Sequence, residues 1–167
     1  MTITEICDFL RAELYNNGYE YGFYLVGKKY KPDVSLGFDE EYFRQAMTIS
    51  RVQRTEDTKR EKIGTCIDAC MLMKEMLRDI SIDCRIWLIC HREKGSVHTI
   101  LSFDADEKTV YLELTPQSSK PWYGKEIVYD TKDAMLADFD KKGYDITDVT
   151  EDIIIGEAPM FLISRIK

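Results

Sequence analysis

The sequence Gly64-Thr65-Cys66-Ile67-Asp68-Ala69-Cys70 marks the beginning of the most apolar helix in the chain. Thr65 and Asp68 have the spacing of a capping box, in which the two side chains satisfy backbone N–H groups of the first turn. This spacing predicts Thr65 as the N-cap and Cys66 as the first residue of a helix that runs to about Asp79. Apolar residues follow at helical spacing and form one face, which comprises Cys66, Ala69, Cys70, Met73, Leu77 and Ile80.

The remaining faces of this helix are also largely apolar, so we expect it to be covered on more than one side and to be central to the fold. Three strand-like segments follow it, at Cys84–His91, Val97–Phe103 and Val110–Leu114. Their connections have hairpin lengths, which favours antiparallel pairing. The sequence therefore predicts an α+β fold in which a central helix packs on an antiparallel sheet.

The other segments are assigned from periodicity and turn residues. Helices are predicted at Thr4–Tyr15, from Asp39 to about Val52, and at Lys132–Lys142. Strands or extended segments are predicted at Tyr19–Tyr30, Ile127–Tyr129, Ile153–Ile155 and Met160–Ile166. Arg51–Lys62 is a mixed-charge run, interpreted first as a solvated helix end and loop and second as a charged rim over a substrate groove.

Length and composition favour one domain over residues 1–167, since 167 residues with 44% hydrophobic content can bury a substantial core. The net charge of −7 argues against binding to nucleic acid phosphates. No signal peptide or membrane span is visible near the first residues, so we expect a soluble, cytoplasmic protein without a membrane partner. The five cysteines, an odd number, are expected to be reduced thiols.

Cys66 permits two interpretations. A thiol in the first turn of a helix faces unpaired backbone N–H groups and the positive end of the helix dipole, which favour a nucleophilic thiolate. The same N–H groups could hold an oxyanion. Cysteine is also among the most frequently buried residue types, so Cys66 could instead be an ordinary core residue of the helix.

Side-chain parity decides whether His98 and Glu113, on the second and third predicted strands, can meet. Side chains two residues apart share a face of a strand. Pairing of Phe103 with Val110 places Glu113 one diagonal step from His98, and a register shifted by two residues places it directly opposite. In both registers the imidazole and the carboxylate lie on the same side of the sheet.

The prolines and the glycine of Thr115–Gly124 predict a loop after the third strand. Trp122 and Tyr123 within it are candidate substrate-binding residues that could line a groove. An aromatic pair beside a sheet serves more often in packing, and both interpretations stay open.

Two parts of the chain resemble the transglutaminase-like superfamily. Gly64-Thr65-Cys66, with Ala69 and Leu72, precedes Leu77-Arg78-Asp79-Ile80-Ser81-Ile82-Asp83-Cys84-Arg85, and together they resemble its cysteine helix and the following turn. Val97-His98-Thr99 and Leu112-Glu113-Leu114-Thr115-Pro116-Gln117 are similar to its histidine strand and its Asp-x-Thr-Pro-Gln strand. The resemblance covers residues 64–117.

The resemblance implies a papain-like cysteine proteinase fold and a catalytic triad of Cys66, His98 and Glu113. Cys66 would attack a carboxamide or peptide carbonyl, His98 would act as general base and acid, and Glu113 would orient the imidazole. The thioester would pass to water in a peptidase or amidase, or to an amine in a transglutaminase. A protein or peptide substrate is implied, and neither a cofactor nor a metal is expected.

The chain departs from the family pattern at two places. Glu113 stands where the family usually has aspartate, and alignment on the proline instead would put Thr115 there. We prefer Glu113 because it keeps a charged acceptor on the face of the histidine. Papain-like enzymes also have an oxyanion glutamine six residues before the cysteine, where this chain has Arg60, so Gln53 is a candidate replacement.

Two alternatives to catalysis remain. The first is an inactive transglutaminase-like binding module that keeps the groove and has lost turnover. The second is a zinc site, although the paired Cys-x-x-Cys motifs typical of such sites are missing from the sequence. Its ligands would come from Cys66, Cys70, Cys84, Cys90 and His91.

Overall fold

A computed structural model describes residues 1–32 and 45–163, which form helices and strands in mixed order. Its helices are α1 (Ile3–Leu14), α2 (Thr55–Glu61), α3 (Cys66–Asp79), α4 (Lys132–Lys141) and α5 (Met160–Ile163). Its strands are β1 (Glu20–Tyr21), β2 (Phe23–Leu25), β3 (Lys28–Tyr30), β4 (Ile63–Gly64), β5 (Cys84–His91), β6 (Val97–Ala105), β7 (Lys108–Leu112), β8 (Glu126–Tyr129) and β9 (Tyr144–Asp148). The fold class is α+β, as predicted.

The main sheet has five antiparallel strands in the order β8-β7-β6-β5-β9. Phe103 pairs with Val110 across β6 and β7, which is the first of the two registers that the parity argument allowed. The predicted hairpin order of the three strands after α3 is therefore confirmed. In this register His98 and Glu113 are one diagonal step apart.

Helices cover both faces of this sheet. Successive side chains of a strand point to opposite faces, and both faces here carry apolar side chains that must be covered. One set packs with α1 and α3 and includes Ile86, Leu88, Leu101, Val110 and Leu112. The other set packs with α4 and includes Trp87, Ile89, Ile100 and Tyr129, together with Met135 and Phe139 of the helix. The central helix α3 has the predicted bounds, and it packs against the sheet and against α1 and α2.

Two short pairings bring the N-terminal segment to the start of α3. β1 lies parallel to β4, with Tyr21 opposite Gly64, and β2 and β3 form a hairpin. Between β1 and β2, Gly22 has a φ of +147°, and a Cβ there would lie 2.2 Å from the carbonyl oxygen of Tyr30. A side chain at position 22 would therefore push the hairpin away from the strand that precedes Cys66.

Several predicted elements differ from the structure. The charged run contains a helix of its own, α2, in which Asp57 forms ion pairs with Arg54 and Arg60. The extended segment at 19–30 is three short strands. The helix predicted from Asp39 begins outside the described residues, and within them Met47–Ile49 form a 3₁₀ turn.

The C-terminal strand predictions are wrong within the described residues. Ile153–Ile155 form no strand, and Met160–Ile163 form α5. β9, which was not predicted from the sequence, pairs with the edge of β5 that β6 leaves free. The 153–155 segment therefore cannot pair with β5. No helix in the described part of the chain is long and apolar enough to cross a membrane.

Candidate active site

Cys66 is the first residue of α3, and 4% of its surface is exposed. Thr65 and Asp68 form the predicted capping box. Oδ2 of Asp68 accepts hydrogen bonds from Thr65 N at 3.0 Å and from Thr65 Oγ1 at 3.2 Å, and Oδ1 accepts one from Gln53 N at 2.9 Å. Asp68 therefore fixes the backbone that carries the thiol.

Asp68 is a buried carboxyl group in the first turn of α3, two residues after Cys66. Burial raises its pKa to about 6, against the opposing effect of the hydrogen bonds from Thr65 and Gln53. A helix start that depends on this carboxyl group is therefore sensitive to pH just below neutrality.

His98 on β6 contacts the carboxylate of Glu113, with 2.6 Å between Nε2 and Oε1. Glu113 follows the last residue of β7, and its backbone continues the pairing with the β8 side of the sheet. Its N–H donates to the Lys125 carbonyl at 3.1 Å, and its carbonyl accepts from Gly124 N at 2.8 Å. The strand ladder thus sets the position of the carboxylate.

Two further donors hold the Glu113 carboxylate, which is 2% exposed. The hydroxyl of Tyr111 donates to Oε1 at 2.8 Å, and Thr115 N donates to Oε2 at 3.1 Å. Burial alone would raise the pKa of Glu113. The charge of His98 and the hydrogen bonds from His98, Tyr111 and Thr115 outweigh it, so the pKa lies below its usual value.

The side chain of Cys66 also interacts with His98 and raises the pKa of the imidazole, after the larger effect of Glu113. Because Glu113 occupies Nε2, the ring nitrogen left for the sulfur is Nδ1. Burial lowers the pKa of His98, but the charge of Glu113, its hydrogen bond and the interaction with Cys66 hold the pKa well above its usual value of 6.5. The arrangement favours a charged imidazolium beside the Glu113 carboxylate.

The structure separates the roles of the two candidate substrate-binding aromatic residues. The ring of Trp122 lies beside His98, with 5.5 Å between the two ring centroids. Tyr123 instead packs on α1, where its ring lies 5.0 Å from Tyr15 and its hydroxyl accepts a hydrogen bond from Asn16 N at 3.0 Å. Trp122 therefore lies next to His98, where its role in substrate binding stays a prediction, and Tyr123 anchors the loop that carries it.

The loop has a second anchor at Gly124, the residue after Tyr123. Arg11 Nε of α1 donates to the Gly124 carbonyl at 2.9 Å, and Arg11 also pairs with Glu126. Gly124 has a φ of +79°, and a Cβ there would lie 2.2 Å from the ring of Tyr15. Glycine therefore allows the loop to close on α1.

Gln53 is not available as an oxyanion donor, because its amide group is fully used within the protein. Nε2 donates to Thr58 Oγ1 and to the Ile63 carbonyl, each at 2.9 Å, and Oε1 accepts from Tyr24 N at 2.8 Å. Gln53 is instead a buried link between α2, β4 and β2. The suggestion that it replaces the family glutamine does not fit this geometry.

Tyr21 is a site residue that the sequence reading missed. It lies opposite Gly64 on β1, and its pKa is raised by burial and then by the charges of Cys66, Asp68 and Glu113. Cys66 and Glu113, which also influence the pKa of His98, therefore influence Tyr21 as well. No motif marks it, since the pairing of β1 with β4 joins residues far apart in sequence.

Burial governs the thiols of three other cysteines, Cys7, Cys70 and Cys84. Burial raises the thiol pKa of Cys7, that of Cys70 well above its usual value, and that of Cys84 to about 11. Cys70 also donates toward the Thr99 carbonyl at 3.6 Å. These thiols fit the core role that was the alternative for Cys66.

The zinc alternative requires a convergent set of ligands. In residues 1–32 and 45–163 no group of three or more histidine, cysteine, aspartate or glutamate side chains is arranged to hold a metal ion. Nδ1 of His91 accepts hydrogen bonds from the backbone N–H groups of Glu93 and Lys94 in the adjacent turn. His91 therefore caps a turn.

Comparisons with known proteins give no family for this chain. No protein-family model matches it, and no curated protein is significantly similar to it.

Proposed function

We propose that this protein is a transglutaminase-like enzyme with a papain-like fold, which catalyses cysteine-dependent acyl transfer or hydrolysis at a peptide or carboxamide bond. The 2.6 Å contact of His98 with Glu113, together with the effect of Cys66 on the pKa of the same imidazole, carries this proposal. A nucleophile, a base and an orienting carboxylate joined in that order are the parts that nucleophilic acyl transfer needs.

In the first half of the reaction, the Cys66 thiolate attacks the carbonyl carbon and forms a C–S bond. The backbone N–H groups at the start of α3 have no partners within the helix, and they can stabilise the oxyanion. The imidazolium of His98 gives its proton to the leaving nitrogen as the C–N bond breaks. A thioester on Cys66 and a free amine result.

In the second half, water or an amine attacks the thioester. His98, now neutral, takes a proton from the attacking group, and the C–S bond breaks to return the thiolate. Water gives a carboxylic acid, and an amine gives a new amide. Glu113 keeps the Nε2 hydrogen on the side away from the sulfur, so that Nδ1 faces the reacting atoms in both halves.

Protein or peptide substrates suit the surroundings of the thiol. Cys66 is 4% exposed, and the side chain of His98 is 23% exposed beneath the ring of Trp122. A narrow approach beside an indole ring favours an extended chain or a long side chain over a bulky rigid group.

The low exposure of Cys66 also favours a second candidate, an inactive binding module of the same fold. In such a module the groove beside Trp122 would bind a peptide without forming a thioester. The two candidates differ in whether Cys66 can be acylated.

Alkylation tests the first requirement of the enzyme. Folded wild-type protein should react with iodoacetamide at neutral pH faster than the urea-denatured protein, at Cys66 by mass spectrometry. Cys66→Ala should remove this label. Cys84→Ala is the matched control, because the raised pKa of that thiol keeps it unreactive at neutral pH. A folded protein that labels no faster than the denatured one would contradict the proposal.

Acylation separates the enzyme from the binding module. With p-nitrophenyl acetate, the enzyme should show a burst of nitrophenol and an acetyl group on Cys66, followed by turnover. A module should react no faster than Cys66→Ala. A fluorescent primary amine added in the same assay would then show whether the acyl group passes to amines or to water.

A further inference from the structure

The phenol of Tyr111 contacts the triad at the same oxygen as the histidine. Its hydroxyl lies 2.8 Å from Oε1 of Glu113, and His98 Nε2 lies 2.6 Å from that oxygen. Tyr111 and Glu113 are two residues apart along β7 and its continuation, so their side chains point to the same face of the sheet. The phenol therefore reaches the carboxylate from within the same strand.

The ring of Tyr111 is held by packing on α4. Its centroid lies 5.6 Å from that of Phe139, which belongs to the apolar cluster on that face of the sheet. A rigid ring between a helix and a strand leaves the hydroxyl little freedom. Tyr111 is thus a fixed hydrogen-bond donor beside a side chain that has one more rotatable bond than aspartate.

Tyr111 keeps its proton across the working range of pH. Burial raises its pKa, and the charge and hydrogen bond of Glu113 raise it further, with smaller contributions from Cys70 of α3 and Tyr129 of β8. The hydroxyl is therefore a donor whether His98 is charged or neutral. A donor that does not titrate can hold Glu113 through both halves of a reaction cycle.

We propose that Tyr111 is a positioning residue, whose hydroxyl holds the Glu113 carboxylate against His98 so that the imidazole stays aligned with Cys66. This inference rests on the proposed function and assigns a fourth member to the same site. With Thr115 N on the second carboxylate oxygen, the Tyr111 hydroxyl fixes the rotation of the longer glutamate side chain. Without the hydroxyl, Glu113 can turn away from Nε2.

Tyr111→Phe tests this role, because phenylalanine keeps the ring packing and removes only the hydroxyl. Tyr129→Phe is the matched control. It removes a hydrogen bond of the same kind, from a phenol on the next strand to Asp138, without touching the triad. Circular dichroism and thermal melting of both variants check that they fold.

The chain contains two histidines, so NMR titration follows His98 directly with His91 as an internal reference. The groups facing His98 are Cys66 and Glu113, and both are retained in Tyr111→Phe. We expect the His98 titration to move down toward its usual value in this variant and to be unchanged in Tyr129→Phe. A His98 titration that stays in place or moves up in Tyr111→Phe would overturn the inference.

The rate of Cys66 alkylation at neutral pH gives a second measurement. Loss of a hydrogen bond to a charged group should slow it roughly ten-fold in Tyr111→Phe. In a Glu113→Gln background the same substitution should have little further effect, because the hydroxyl acts through the carboxylate. Equal slowing in both backgrounds would mean that Tyr111 does not act through Glu113.

These outcomes separate the two proposals. If wild-type Cys66 is not activated, the proposed function fails, and the His98 titration still reports whether Tyr111 positions Glu113. If wild-type Cys66 is activated and Tyr111→Phe behaves like its control Tyr129→Phe, only the inference on Tyr111 fails.

Discussion

Oε1 of Glu113 lies 2.6 Å from Nε2 of His98, and the pKa values of the two groups move apart in the directions expected for an ion pair. The raised pKa of His98 means that the ion pair stabilises the folded protein fully below about pH 6.5. This stabilisation is lost as the pH rises through the pKa of His98 in the folded state. For Glu113, with a pKa lowered below 4.5, it is present above about pH 4.5 and is lost as the pH falls through the folded value.

The free energy of unfolding of the wild type should therefore exceed that of Glu113→Gln by the largest amount between about pH 4.5 and 6.5. The difference there should be about 1–3 kcal/mol, and it should decline at lower and at higher pH. Urea unfolding of both proteins across pH 4 to 9 measures it. An advantage that is constant over this range would contradict the ion pair.

The Asp68 carboxyl predicts a different pH dependence. Its folded pKa of about 6 lies above the usual 3.8, so the folded state holds the proton more tightly, and this contribution is lost as the pH rises from about 4 through 6. A shift of about two units corresponds to about 3 kcal/mol. The difference in unfolding free energy between the wild type and Asp68→Asn should fall by roughly that amount from pH 4 to 7. A difference that rises with pH would show that Asp68 is ionised more readily in the folded protein.

Gln53→Leu distinguishes a structural role from an oxyanion role. It removes two donated hydrogen bonds and leaves the half-buried N–H group of Tyr24 without its acceptor. We expect a loss of about 2–4 kcal/mol in unfolding free energy, with an unchanged alkylation rate of Cys66 in the protein that remains folded. Unchanged stability with lost acylation would restore the oxyanion role.

Trp122 and Tyr123 should respond differently to substitution by alanine. Trp122→Ala removes the ring beside His98, so peptide binding should weaken, seen as a raised KM with little change in melting temperature. Tyr123→Ala removes the contacts with Tyr15 and Asn16, so the melting temperature should fall by several degrees, consistent with a loss of about 1–2 kcal/mol. The reverse pattern would exchange the two roles.

The parts of the fold that are encoded locally were predictable. The bounds of α3 follow from Thr65, Asp68 and an apolar stripe, all within one stretch of sequence. Side-chain parity alone placed His98 and Glu113 on one face of the sheet. The two registers considered differ by two residues, so both leave the same side chains on that face.

Features that depend on distant contacts were not predictable in the same way. The short pairing of β1 with β4, in which Tyr21 lies opposite Gly64, has no local sequence signature. The hydrogen bonds that join Gln53 to three separate segments have none either. The alternation in Tyr144–Asp148 is the signal that could have identified β9. The helix α2 was not predicted because its residues are mostly charged and only Thr58 is buried, so the sequence shows no apolar stripe there.

The anchoring of the Trp122 loop on α1 has a consequence for synthesis. Arg11 and Tyr15 hold residues that the ribosome adds more than a hundred positions later. A nascent chain that already contains Cys66 and His98 still lacks Glu113 and the indole of Trp122. The candidate site is therefore assembled only when the first and later segments of the chain have met.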